Sequence, residues 1–307
     1  MRRVLLLGAM GAALVSANTF YLTVAGLGGE PEYEQKFAGW ASDIEKILKS
    51  SQGVEVAVLK GADATKAKMQ AAAAGFAKKA TPEDQVVVLL IGHGTFDGTE
   101  YKFNVPGPDV SGVELAALLD RIPAKKQLVV NMTSASGGAL NSLQKPGRTV
   151  ITATKSGTEK NATVFARYWV EAMRDVSSDT DKNEVISALE AFRFAESKTE
   201  GFYKTQNRLA TEHPVLEDTG KNAAVKDPSP ANGQGLNAGQ FALLRLGAAQ
   251  AMTRDPAKRE LFAKKEQVEQ AIDKLKYNKA ALPATEYRTK LSQLLLELAK
   301  VQEELDK

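Results

Sequence analysis

Gln85-Val-Val-Val-Leu-Leu-Ile-Gly-His-Gly94 decides how this chain is read. The apolar run from Val86 to Ile91 is too short for a buried helix. It is also too uniform for a strand with one wet face, so it reads as a central strand covered on both sides. Gln127-Leu-Val-Val-Asn131 has the same character. Outward from these two, shorter β-branched runs at Phe20 to Ala25, Val54 to Leu59 and Thr149 to Ala153 predict further strands, with the second central strand extending to Met132. Amphipathic stretches between them predict helices at Glu32 to Lys49, Ala64 to Lys79, Gly112 to Arg121 and Asn161 to Met173. Strands alternating with helices imply an α/β protein with a mostly parallel sheet.

The second half carries less strand signal. A long helix is expected from Glu184 to about Asn207, then a loop rich in Pro, Gly and Asn from His213 to Gly235, then a helix from Leu236 to about Met252. Residues 255–307 read as two charged amphipathic helices broken at Leu282-Pro283, a helical hairpin packed on itself or used for self-association. The expected organisation is a leader at 1–17, one domain over 18–252 and the hairpin at 255–307.

The leader reads Met1-Arg2-Arg3, then an apolar run to Val15, then Val15-Ser16-Ala17. A basic start, a short apolar run and a small-residue site predict a signal peptide cut after Ala17, with the protein exported to the periplasm or beyond. No later run is apolar and long enough to span a bilayer. A net charge of +3, with no Lys/Arg block interleaved with aromatics, argues against nucleic acid as a partner. The chain has no cysteine, which removes disulfides and thiolate chemistry together.

In a parallel sheet the working residues collect past the carboxyl ends of the strands. One strand runs into Gly92-His93-Gly94-Thr95-Phe96-Asp97, the other into Thr133-Ser134-Ala135-Ser136-Gly137-Gly138. On neighbouring strands these turns would put an imidazole, a hydroxyl and main-chain amides around one crevice. The acyl-transfer assignment is His93 as base, Ser134 as nucleophile and the amides of Gly94 and Ser134 as oxyanion donors. Asp97 is a conceivable orienter of His93. The plainer reading is a hydrogen-bonded loop histidine beside ordinary Ser/Gly turn chemistry.

The order of these motifs resembles the legumain-type C13 cysteine peptidases and their caspase relatives. Ser134-Ala135-Ser136-Gly137 stands where that family has Cys-x-Ser-Gly, so Ser134 takes the place of the catalytic thiol and His93 that of the base. Lys102 to Pro108, Thr152 to Asn161 and Thr211 to Gly220 also look like segments of bacterial members. The resemblance covers about Phe20 to Gln250. It implies a caspase/legumain-like three-layer α/β/α sandwich with the hairpin appended, and a polypeptide as substrate or protein ligand. A serine hydroxyl is far harder to ionise than a thiol and needs an oriented histidine. The resemblance with this replacement therefore implies a lost or strongly impaired peptidase, the alternative being a Ser134/His93 hydrolase.

A separate stretch, Asp179-Thr-Asp181-Lys-Asn183-Glu-Val185-Ile-Ser187-Ala-Leu-Glu190, has the spacing of a calcium-binding EF-hand loop. Asp179, Asp181, Asn183, Ser187 and Glu190 would offer side-chain oxygens and Val185 its carbonyl, with Glu184 where the turn asks for glycine. The alternative is a helix cap made by Asp179 or Asp181.

Overall fold

The structure, a computed structural model, describes residues 17–307 except 52 and 222. The expected signal peptide lies outside the described residues apart from Ala17. From the amino-terminal side the elements are β1 (Thr19–Ala25), α1 (Pro31–Lys49), β2 (Val54–Leu59), α2 (Lys66–Lys79) and β3 (Gln85–Ile91). A small antiparallel sheet follows, β4 (Gly94–Phe96), β5 (Tyr101–Phe103) and β6 (Val110–Ser111). Next come α3 (Gly112–Asp120), β7 (Lys126–Asn131), α4 (Leu140–Leu143), β8 (Arg148–Thr152) and α5 (Phe165–Ala172). The remainder is β9 (Val185–Ser187), α6 (Ala188–Thr205), β10 (Val215–Glu217), α7 (Leu236–Gly239), β11 (Ala242–Arg245), α8 (Gly247–Arg254), α9 (Pro256–Tyr277) and α10 (Ala284–Leu305).

The main sheet runs β10-β8-β7-β3-β1-β2, with β10 antiparallel and the other neighbours parallel. All seven residues of both β1 and β3 are buried, as the apolar runs require. Alternate side chains serve two cores. Tyr21, Val87, Leu89, Val130 and Ile151 meet α1, α5 and α6 through Phe37, Ile44, Phe165, Trp169 and Phe192. Leu22, Val24, Val88, Leu90 and Val129 meet α2, α3 and α4 through Met69, Phe76, Leu115, Leu119 and Leu143. This is the expected three-layer α/β/α sandwich. The hairpin is present as well: α9 and α10 pack on each other, and Phe262 joins Val185 and Ala249 of the main body, with Arg245 paired to Glu266 at 2.8 Å.

Three expected helices are corrected. The segment from Glu184 starts as strand β9, and α6 begins only at Ala188. Val185-Ile-Ser187 pairs antiparallel with β11, and Ser187 with Glu190 closes a capping box that sets the helix start. The helix expected from Leu236 to Met252 is cut into α7, β11 and α8, because Ala242–Arg245 supplies the strand that β9 pairs with. Tertiary pairing there overrides the helical preference of Ala and Leu. The helix expected from Asn161 starts at Phe165, which leaves residues 153–164 as a loop over the sheet's carboxyl end.

Glu217 and Asp218, within the loop expected from His213 to Gly235, are fully buried. Glu217 accepts from the amides of Thr219, Gly220 and Lys221, and Asp218 from those of Gly235 and Ala238. Both carboxylates organise turns around the short edge strand β10, and each is covered because main-chain donors replace its water.

Candidate functional site

Parallel pairing of β3 with β7, in the register Leu90↔Asn131, brings the two strand ends level. His93 leaves β3 one residue before β4, and its carbonyl accepts from Asn104 N at 3.1 Å. Ser134 leaves β7 three residues after Asn131. Tyr101 on β5 ties the turns together from above, with its hydroxyl 2.7 Å from Thr133 Oγ1 and donating to Asn131 Oδ1 at 3.2 Å. Burial raises the Tyr101 pKa, so the phenol stays a neutral donor.

The structure thus brings His93, Gly94 and Ser134 to one place, yet their polar atoms face different partners. Ser134 is 2% exposed. Its Oγ accepts from Gly94 N at 3.1 Å and donates to Gly94 O at 3.0 Å. The hydroxyl proton is committed to a carbonyl, and the Gly94 amide expected for an oxyanion is committed to the hydroxyl. No room is left between them: a Cβ on Gly94 would lie 2.6 Å from Ser134 O and 2.5 Å from the Tyr101 ring. His93 is half-buried. Its imidazole lies beside the Gly28 backbone, and its ring lies edge-on to Tyr33 and Phe37 at 5.0 and 5.2 Å between centroids. Desolvation lowers its pKa, against the Gly28 carbonyl and the charges of Glu30 and Glu34, which raise it. Among the described residues no hydrogen bond joins His93 to Ser134. Asp97 does not orient His93: its carboxylate accepts from the amides of Thr99 and Glu100, both at 2.9 Å, and closes the β4–β5 turn.

The 153–164 loop covers the Ser134 turn. Ala135 N donates to Glu159 O at 2.7 Å, Gly137 N to Thr154 Oγ1 at 2.9 Å and Thr154 N to Ser136 Oγ at 3.1 Å. Gly137 is required by this contact, since a Cβ there would sit 2.2 Å from Ser156 N. Phe96 presses its ring onto Gly138 and Gly157. The far side of the loop is anchored by Glu159, which takes the His213 amide and ring, and by Glu212. Glu212 accepts from Val164 N at 2.7 Å, Phe165 N at 3.2 Å and the Tyr203 hydroxyl at 3.0 Å. Sequence reasoning did not single out Gly28, Tyr33, Glu159 or Glu212. The one available signal was His213 beside Glu212, the chain's only other histidine.

The acidic loop brings three of its six expected ligands together. Carboxylate oxygens of Asp179, Asp181 and Glu190 lie within 4.8 Å of one another and are the described residues that could hold a metal ion. Partial desolvation, then the charges of Glu190 and Asp179, push Asp181 up to about 6. Glu184 adopts φ +65°, the left-handed turn for which glycine was expected. Its carboxylate accepts from Ala249 N at 2.8 Å and so caps α8, a gain that offsets the backbone strain. The cap of α6 is Ser187, not Asp179 or Asp181, and Glu190 reaches back to Ser187 N at 2.9 Å.

No protein-family model matches the chain, and no curated protein does. Solved structures similar to it include the initiator caspase Dronc of Drosophila, at 10% identity and TM-score 0.42 over 67% of this chain and 81% of that one. Caspase-1 of Spodoptera frugiperda is similar at 12% identity and TM-score 0.45, over 66% and 87%. A protein of Geobacter sulfurreducens is similar at 13% identity and TM-score 0.43, over 75% and 100%.

Burial pushes Glu212 up to about 7, against hydrogen bonds from Val164, Tyr203 and Phe165 that favour the charged form. The folded state then binds the proton more tightly than the unfolded chain, so stability falls as pH rises from 4.5 through 7. The full effect is about 3 kcal/mol. Urea titrations at several pH values should show Glu212→Gln flattening this decline, and an unchanged pH slope would contradict the assignment.

Proposed function

We propose that this chain is an exported protein of caspase/legumain-like architecture that has given up peptidase chemistry and acts by binding polypeptide. The observation that carries the reading is the Ser134 hydroxyl, buried and bonded to both main-chain groups of Gly94. A serine nucleophile needs a base in reach of its proton and an open path to a carbonyl carbon. Here His93 packs its ring on Tyr33 and Phe37, no hydrogen bond joins it to Ser134 among the described residues, and the 153–164 loop lies over the turn. The strand order, with the His93 turn on the strand beside the Ser134 turn, supports the family resemblance of the motifs. Ser134 in the position of the thiol supports the loss of activity.

A structural calcium ion belongs to the same proposal, supported by the three converging carboxylates and the left-handed Glu184. Calcium would hold β9 and the start of α6 and take no part in chemistry at Ser134. Thermal melts with calcium and with a chelator test this point: a midpoint raised by calcium and restored to its lower value by Asp181→Asn is expected, and identical melts contradict it.

For the main claim, the mature protein is incubated with a broad fluorophosphonate probe and weighed intact, alongside Ser134→Ala and His93→Ala. No adduct on Ser134 is expected. A stoichiometric adduct lost in both variants would establish a serine hydrolase instead.

A further inference from the structure

Beside the Ser134 turn lies a groove of about 530 Å³ between α1, α5 and α6. Tyr33 is shared: its ring meets His93 on one side and lines the groove on the other. Trp40 and Phe202 add to the aromatic wall, Lys36, Arg167 and Arg208 supply positive charge, and among the described residues no carboxylate lines it. Lys36 is held by Glu32. Among the described residues neither Arg167 nor Arg208 has a carboxylate partner, and Arg167 stacks over the Tyr168 ring at 5.3 Å.

Arg208 is presented by the backbone. Asn207 takes φ +49°, its amide bonds Lys204 O at 3.1 Å, and the Arg208 amide bonds Tyr203 O at 3.0 Å. These two bonds form the Schellman motif that ends α6. The position after the left-handed residue commonly packs an apolar side chain back on the helix. In this chain it delivers a guanidinium to the groove, and the next residue, Leu209, is 90% exposed. Behind the wall, burial holds Glu212 toward its neutral form, which limits repulsion of an anion.

Guanidinium groups take carboxylates and phosphates alike. The aromatic residues that line the groove with the two arginines add a demand that an inorganic anion does not meet, an apolar body beside the charge. We propose that this groove docks an acidic, apolar peptide segment of a partner protein, with carboxylates on Arg167 and Arg208 and a bulky apolar side chain against Trp40 and Phe202. The groove is of a size that holds ligands. It is separate from the Ser134 turn, so the inference does not depend on whether Ser134 reacts.

The test is fluorescence anisotropy with the mature chain and a labelled Glu-Leu-Phe-Glu peptide, against Gln-Leu-Phe-Gln. Saturable binding of the acidic peptide is expected, weaker by at least about tenfold for the glutamine peptide. Arg167→Glu with Arg208→Glu should abolish binding at an unchanged melting temperature, and Arg167→Gln with Arg208→Gln serves if the reversal disturbs folding. The proposal is overturned by absence of saturable binding up to about 1 mM, or by equal binding of the glutamine peptide or of the charge-altered chains. It is overturned equally if inorganic phosphate or polygalacturonate displaces the label better than unlabelled Glu-Leu-Phe-Glu.

Discussion

The register between β3 and β7 governs everything at the carboxyl end of this sheet. Leu90 faces Asn131 across the ladder, so the chain leaves both strands at one level, and the main chain of Gly94 meets the Ser134 hydroxyl directly. A shift of one residue would exchange the alternating side chains of β3 between two differently packed cores, which opposes any slip of the register. The small sheet adds to the constraint, since Tyr101 bonds Thr133 and Asn131 from above. With both turns pinned, the Ser134 hydroxyl has one set of partners within reach, and it uses them.

That arrangement exchanges reactivity for order. A nucleophile needs an unfilled space at its oxygen and a base on its proton, whereas Ser134 has close-packed neighbours and a carbonyl. The glycines record how tight the fit is. Gly94 and Gly137 are positions where even a methyl group would collide with main-chain atoms. The loop from Ala153 to Val164 completes the cover, and Glu159 and Glu212 hold it from behind. The same loop forms one wall of the basic, aromatic groove, so closing the crevice and shaping the groove are consequences of one segment.

The parallel sheet was legible because its strands are buried on both faces, which leaves uninterrupted apolar runs such as Val86 to Ile91. The pairing of β9 with β11 was not: Ala242-Leu-Leu-Arg245 has helical composition and becomes a strand only because Val185–Ser187 lies beside it. Likewise, His93, Gly94 and Ser134 could be named from their turns. Their surroundings depend on Gly28 and Tyr33, 65 and 60 residues before His93, and on Glu159, 25 residues after Ser134, none of which has a motif of its own. Position six of the acidic loop was read as a defect, and the structure gives Glu184 a use that no local pattern encodes, capping α8 from across the fold.

The central claim is that position 134 is closed and unassisted by His93, and a thiol at that position reports on both. Ser134→Cys would be treated with iodoacetamide at neutral pH, with the alkylation rate followed by mass and compared in urea. The account predicts a thiol that reacts far more slowly in the native protein than when unfolded, and no gain of peptide-cleaving activity. Native alkylation as fast as that of an exposed thiolate, with peptidase activity appearing alongside it, would contradict the account.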